Sequence, residues 1–367
     1  MLPSGPISYN KSQYSLIVGL ASLFFLLSVA FVGRKHKLFS QEKPKETYQM
    51  VSAARHFLSL LDPNAKKRAV VSFQSQERTR WNSLSAHKQS GILLKSLNDQ
   101  QKQALHAMLR SALSEQGYLK AIGVMQISDA YKDTLSPTDK KELTQPYGGP
   151  YPYTLTMFGQ PSEDQPWGWR LEGHHLLLNF TVSATQIACT PMYMGAHPTQ
   201  VPDGPYAGWQ VVGAEADRAR QLLASLDDRQ HERAVSPVLP DDILTHLGTE
   251  PHLQTFEGIQ AVDLNADQRE WLMELIRTYV GNLNSKRAQV HYDKIRRIGL
   301  EELYFMWAGG SRPGEAMYYR IHGPTFIIEM APYQHDPNHV HTVWHNLEDD
   351  FGLDFSANSH EFTSLFK

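Results

Sequence analysis

The sequence predicts an α+β fold in which helices precede antiparallel strands, and it predicts that this unit occurs twice in tandem. Three observations carry the prediction. Amphipathic helical runs open each half, aromatic and aliphatic strand-like runs close each half, and Trp167–Phe180 aligns without a gap to Met317–Met330. The alignment pairs Arg170 with Arg320 and Gly173 with Gly323. Such self-similarity sets the architecture before any local reading.

The chain divides in order. Residues 1–14 form an N-terminal tail. Residues 15–33 (SLIVGLASLFFLLSVAFVG) are uncharged and are followed by Arg34-Lys35-His36-Lys37. That length is at the short end for a membrane-spanning helix. The expectation is a single-pass membrane anchor, with a cleaved signal peptide and secretion as the alternative, since Ser28-Val29-Ala30 offers the small residues that a signal peptidase needs. A retained helix with its basic cluster on the C-terminal side keeps the large domain in the cytoplasm. Residues 34–47 are a linker, 48–210 the first half, 211–355 the second half and 356–367 a C-terminal tail.

Each half begins with a helix. Ala54, Phe57, Leu58 and Leu61 match Ala219, Leu222, Leu223 and Leu226 at helical spacing. Each run stops at an aspartate, Asp62 or Asp227, suited to cap the next helix, which carries Arg68-Ala69-Val70 or Arg233-Ala234-Val235. A second shared helix starts with Asn98 three residues before Gln101 and Asn265 three before Gln268, the spacing of a capping box. Its apolar face reads Leu105, Met108, Leu109, Ala112, Leu113 in one half and Leu272, Leu275, Ile276, Tyr279, Val280 in the other. The first half then carries extra residues around 131–152, ending in Gly148-Gly149-Pro150-Tyr151-Pro152, which reads as a surface insertion. The aligned runs follow, each as one strand, with a turn and a second strand near 186–192 and 338–344. Two such halves pack about a pseudo-two-fold axis.

Composition narrows the function. A chain of 367 residues buries a sizeable core, and a net charge of −3 lacks the basic footprint of a nucleic-acid binder. The lone Cys189 excludes an intrachain disulfide framework and a cysteine-rich zinc module. No G-x-S-x-G and no phosphate loop is present. Asp350-Phe351-Gly352 stands without the other kinase motifs and reads as a helix end at Gly352.

Candidate chemistry lies where the two halves differ. Glu172, His174 and His175 stand where the second half has His322, Pro324 and Thr325. His339 and His341 stand where the first half has Cys189 and Pro191, and Glu329 replaces Asn179. On a single strand Glu172 and His174 share one face and His175 takes the other with Asn179, while His339 and His341 project together. His345 joins them only if the chain bends. Imidazoles and carboxylates suit zinc or non-haem iron. The candidate ligands are therefore His174, His175, His339 and His341, with Glu172 and Glu329 as general base or further ligand. Trp167, Trp169, Arg170 and Arg320 are candidate substrate-binding residues, although the recurrence of both arginines also fits a structural tie to carboxylates. A buried polar network and a metal-free histidine acid/base site explain the same residues.

The run P-W-G-W-R-L-E-G-H-H-L-L-L-N-F, together with R-I-H-G-P-T-F-I-I-E at Arg320–Glu329, N-H-V-H-T-V-W at Asn338–Trp344 and the D-F-G at Asp350–Gly352, resembles the domain of unknown function 3500 family. The resemblance covers nearly everything after the N-terminal segment. It implies that Gly173-His174-His175 is a family hallmark, and it supplies no reaction. The function expected is a metal-dependent enzyme acting on a small molecule, hydrolytic rather than redox. The alternative is a non-catalytic binding protein with an aromatic pocket around Trp167–Trp169 and Tyr318–Tyr319.

Overall fold

The computed structural model describes residues 45–80, 90–134, 153–245, 253 and 255–356, which fall in one compact unit spanning Pro44–Lys367. Among the described residues are eight α-helices: α1 (Lys45–Ser59), α2 (Pro63–Ala69), α3 (Asp99–Ala112), α4 (Glu115–Thr134), α5 (Gly213–Ala224), α6 (Asp228–Ala234), α7 (Ala266–Val280) and α8 (Ser285–Ile298). Their starts follow from side-chain chemistry. Asp62 caps α2 by accepting from the amides of Asn64 and Ala65, and Pro63 takes the first position, where a missing N–H costs nothing. Reciprocal capping boxes open α3 (Asn98, Gln101), α6 (Asp227, Gln230) and α7 (Asn265, Gln268). The side-chain amides of Gln101 and Gln268 also reach the carbonyls of Leu60 and Ser225, tying α3 to the end of α1 and α7 to the end of α5.

The strands are β1 (Val70–Val71), β2 (Ile92–Leu93), β3 (Thr154–Phe158), β4 (Trp167–Gly173), β5 (Leu176–Val182), β6 (Ile187–Ala188), β7 (Met192–Ala196), β8 (Val235–Ser236), β9 (Ile259–Gln260), β10 (Tyr304–Gly309), β11 (Met317–His322), β12 (Phe326–Tyr333) and β13 (Asp336–Asn346). They form one mixed sheet in the order β1-β3-β4-β5-β7-β13-β12-β11-β10-β8, with β2 on β3, β6 on β5 and β9 on β10. The seam at its centre is the antiparallel pair β7–β13, running from Val340 opposite Ala196 to Trp344 opposite Met192.

Alternation gives the sheet two unlike faces. One packs into the main core with the helices and carries Trp167, Trp169, Leu171, Ile328, Met330 and Trp344. The other carries Leu177, Tyr193, Ala331 and Val343 and is covered by irregular chain, including Leu239, Ile243 and Phe351. The buried charges Arg170, Glu172, Arg320 and Glu329 alternate onto this second face, where backbone groups partner Arg170 and Glu329, Arg170 bonds Glu172 and the Glu257 side chain pairs with Arg320.

Four expectations are corrected. The run Trp167–Phe180 is two strands: Gly173 pairs with Leu176, and His174–His175 form the two-residue turn between them. His175 has φ 60°, the left-handed geometry that tight hairpins use. Met317–Met330 divides in the same way into β11 and β12. The D-F-G does not end a helix. Phe351 and Gly352 have φ 59° and 61° inside Asp350–Ser356, and this corner exposes the Phe351 carbonyl to Arg78 and Thr181. The membrane anchor is corrected too: among the described residues no helix is long and apolar enough to cross a membrane. Residues 15–33, on which the anchor and the signal peptide both rested, lie outside the described residues, as do 135–152 of the insertion and 357–367 of the tail.

Candidate metal centre

The centre is built on one row of residues that runs from the β4–β5 turn across β7, β13 and β12. The His175 carbonyl accepts from the amide of Gly195 at 2.8 Å. Gly195 stands opposite His341, and His341 opposite Ala331. The two residues flanking His341 are therefore small. A Cβ on Gly195 would lie 3.1 and 3.2 Å from Cδ2 and Cγ of His175, so the glycine makes the space that the ring occupies. His339 lies two residues along from His341 and shares its face, as the alternation predicts.

These three rings converge. Nε2 of His339 is 2.8 Å from Nε2 of His175 and 3.2 Å from Nε2 of His341. One ligand atom from each lies within 4.8 Å of the others, and the three are placed to hold a metal ion. A neutral imidazole can present an unprotonated Nε2 to a cation at that point. His341 also has the second support that ligating imidazoles use: its Nδ1 donates to Asp242 at 2.7 Å. Burial pushes His174 down to about 3 and His339 to about 2, and it holds His175 well below its ordinary value, with the neighbouring imidazoles adding to each effect. His174, His175 and His339 are therefore neutral at physiological pH, the form that binds metal. His197 stacks on His339 with centroids 4.4 Å apart, and Tyr333 lies 4.7 and 5.1 Å from the rings of His339 and His341.

His174 is not in the converging set. Its Nδ1 meets the Ser128 hydroxyl of α4 at 3.1 Å, its carbonyl accepts from the Tyr153 hydroxyl, and its ring lies 3.7 Å from that of His175. Gly-His-His thus has a physical sense. A Cβ on Gly173 would strike the Tyr153 ring at 2.3 Å, His174 anchors the turn to α4, and His175 adopts the left-handed position that aims its ring inward.

Neither glutamate is placed in the cluster. Glu329 is filled by donors: the amides of Leu244 and Thr245 and the hydroxyls of Tyr318 and Thr245. Glu172 bonds Arg170 through one oxygen at 2.8 Å, and its other oxygen is buried with no hydrogen-bond partner among the described residues. Burial raises its carboxyl to about 7, against the pull of Arg170 and with Glu77 adding to the rise. Arg170 also donates to the carbonyls of Glu77 and Arg80, and Arg320 pairs with Glu257 at 2.6 Å. Trp167 and Trp169 are fully buried in the main core. His345, though on the same face of β13, turns to Asp350 and the Thr245 carbonyl.

Asp242, His197, Tyr333 and Ser128 escaped the sequence reading. The Pro240-Asp241-Asp242 run signals a turn but not its partner, and His197 shows only as a histidine just beyond a strand.

No curated protein and no solved structure matches the chain. The family model described as Protein of unknown function (DUF3500) matches residues 43–353. This match spans most of the chain and includes every residue of the histidine cluster, and the protein belongs to the DUF3500 family.

Proposed function

We propose that the protein is a metal-dependent enzyme that binds zinc or non-haem iron through His175, His339 and His341. The observation that carries the reading is the convergence of three Nε2 atoms on one point with Asp242 behind His341. Three protein ligands leave a tetrahedral ion one position for water, the arrangement of catalytic rather than structural zinc sites. Such an ion acidifies its water toward neutrality and polarises a bound carbonyl or phosphoryl oxygen. Hydrolysis of a small molecule is the reaction class this favours. The reading of the fold as a tandem duplication finds support in the mirrored strand order and the matched capping boxes. The aromatic-pocket alternative finds less support, since both Trp167 and Trp169 lie fully buried.

The test is elemental analysis of the full chain beside the double variant His339→Ala/His341→Ala. We expect near-stoichiometric zinc or iron in the parent and its loss in a variant with an unchanged circular dichroism spectrum. Absence of metal from the parent, even after reconstitution, would overturn the reading. Zinc-loaded protein that cleaves an ester, amide or phosphoester panel supports hydrolysis. Iron-loaded protein that instead consumes dioxygen would reverse that choice.

A further inference from the structure

The histidine centre meets solvent beside three rings. His175 and His341 are buried, whereas His339, His197 and Tyr333 are half-buried. His197 stacks on His339, and Tyr333 lies against both His339 and His341. A molecule that reaches an ion in the centre therefore leaves its far end among these rings and the chain around them.

The charge of that chain has one sign. The described segments that build the centre are 124–128, 173–176, 193–200, 239–245 and 331–342, and none contains a lysine or an arginine. They contain three carboxylates, Asp241, Asp242 and Asp336. Asp242 is committed to His341. Asp241 beside it is 82% exposed and pairs with His335 at 2.9 Å, while its carbonyl accepts from the Gln334 amide, so the β12–β13 turn fixes its place. Asp336 accepts from the Asn338 amide at 2.8 Å, and its charge reaches His197, where it favours the protonated ring. Among the described residues the partners of these carboxylates are imidazoles and backbone amides, and no lysine or arginine pairs with them. Sites that take phosphate or carboxylate groups meet the anion with arginine, lysine or a similar fixed donor. This one surrounds the ion with negative charge, which repels an anionic far end and attracts a cationic one. The face of Tyr333 adds to that attraction.

We infer that the substrate of the histidine centre carries an ammonium group on the part facing away from the metal, met by Asp241 and Asp336 beside Tyr333. The inference rests on the metal-dependent reading above and names its substrate class: an amine-bearing ester or amide, rather than a phosphoester or a dicarboxylate. Asp241 and Asp336 are the carboxylates left to meet the charge once Asp242 holds His341.

The experiment is isothermal titration calorimetry of the full chain, loaded with the zinc or iron it carries, against benzohydroxamate and its 4-aminomethyl and 4-carboxy derivatives. The hydroxamate grips the metal in all three, and the far charge is what differs. The aminomethyl probe should bind at least about fivefold more tightly than the neutral one, and the carboxy probe at least about fivefold more weakly. High salt should narrow both gaps. The double variant Asp241→Asn/Asp336→Asn keeps both acceptors, so it should hold as much metal and melt as the parent does. It should bind the three probes within about twofold of one another. Metal-loaded parent that binds the neutral or the carboxy probe as tightly as the aminomethyl one, or binds none of them, would overturn the inference and leave the metal reading standing. So would a double variant that keeps the parent's preference. A parent that holds no metal would overturn both.

Discussion

The Asp242 carboxylate accepts the Nδ1 proton of His341 at 2.7 Å, and the residues after it are clamped to Glu329. Glu329 takes the backbone amides of Leu244 and Thr245, so a carboxylate deep in the sheet fixes the segment that carries another carboxylate to the histidine cluster. Glu329 thereby touches the cluster only through the segment that bears Asp242.

Asp242→Asn should therefore lower metal affinity about 10- to 100-fold, the usual loss when the partner behind a ligating imidazole is removed. The Asp242 side chain is 25% exposed, so stability should change little. Competition with a chelator, followed beside a melting curve, checks both. An unchanged affinity would mean that His341 does not ligate through Nε2.

Gly195→Ala should damage the centre more than the fold. The new Cβ would sit 2.7 Å from the Val340 carbonyl and 3.1 Å from Cδ2 of His175, and the ring is the softer of the two. Overpacking of this kind costs about 1–3 kcal/mol. The displaced ring takes its Nε2 out of the cluster, so metal binding should fall sharply while the protein still melts cooperatively. Metal titration of the variant decides the matter, and affinity equal to that of the parent would contradict the row geometry.

The helices were legible because their signals are local. Asn98 with Gln101 and Asn265 with Gln268 write both halves of a capping box into four residues, and both boxes form. His339 and His341 were legible because strand alternation needs only that the strand exist. The turn at His174–His175 was hidden, since a two-residue hairpin inside an apolar run leaves the strand-like composition almost unbroken and carries no glycine at the left-handed position. Asp242 was hidden for another reason. It meets His341 across 99 residues of sequence, and only the sheet order and the Glu329 clamp bring them together.

Glu172→Gln should flatten the acid side of the stability profile. The Glu172 carboxyl is raised from 4.5 to about 7 by burial, so the folded state holds a proton that the unfolded chain releases. Stability from this group is full below about 4.5 and is lost as pH rises through about 7. Over that window the parent should lose about 1–3 kcal/mol relative to the glutamine variant, which keeps an acceptor for Arg170 and cannot ionise. Urea midpoints at pH 4.5, 6 and 7.5 measure it. Parallel profiles for the two proteins would show that Glu172 stays ionised.

His345 gives the opposite partner to the same logic. Its Nε2 faces the Thr245 carbonyl at 3.0 Å, which can only accept, so that nitrogen carries a hydrogen. Its Nδ1 faces the Asp350 carboxylate. Burial works against the charged ring, but the Asp350 charge and hydrogen bond, the Glu329 charge and the Thr245 carbonyl outweigh it and raise the value above 6.5. A raised histidine stabilises fully below its unfolded value of about 6.5 and ceases to do so as pH climbs through the folded value. Asp350→Asn removes the charge and keeps an acceptor for the Asn346 amide. It leaves a buried imidazolium unpaired at low pH, which costs about 3–5 kcal/mol. The ring then folds neutral, and the cost fades as pH rises. The melting-temperature gap between parent and Asp350→Asn should therefore be widest near pH 6 and close on the alkaline side. A gap that is constant from pH 6 to 9 would mean that His345 is neutral in the folded protein and that the Thr245 segment, with Asp242 upstream of it, is held by Glu329 alone.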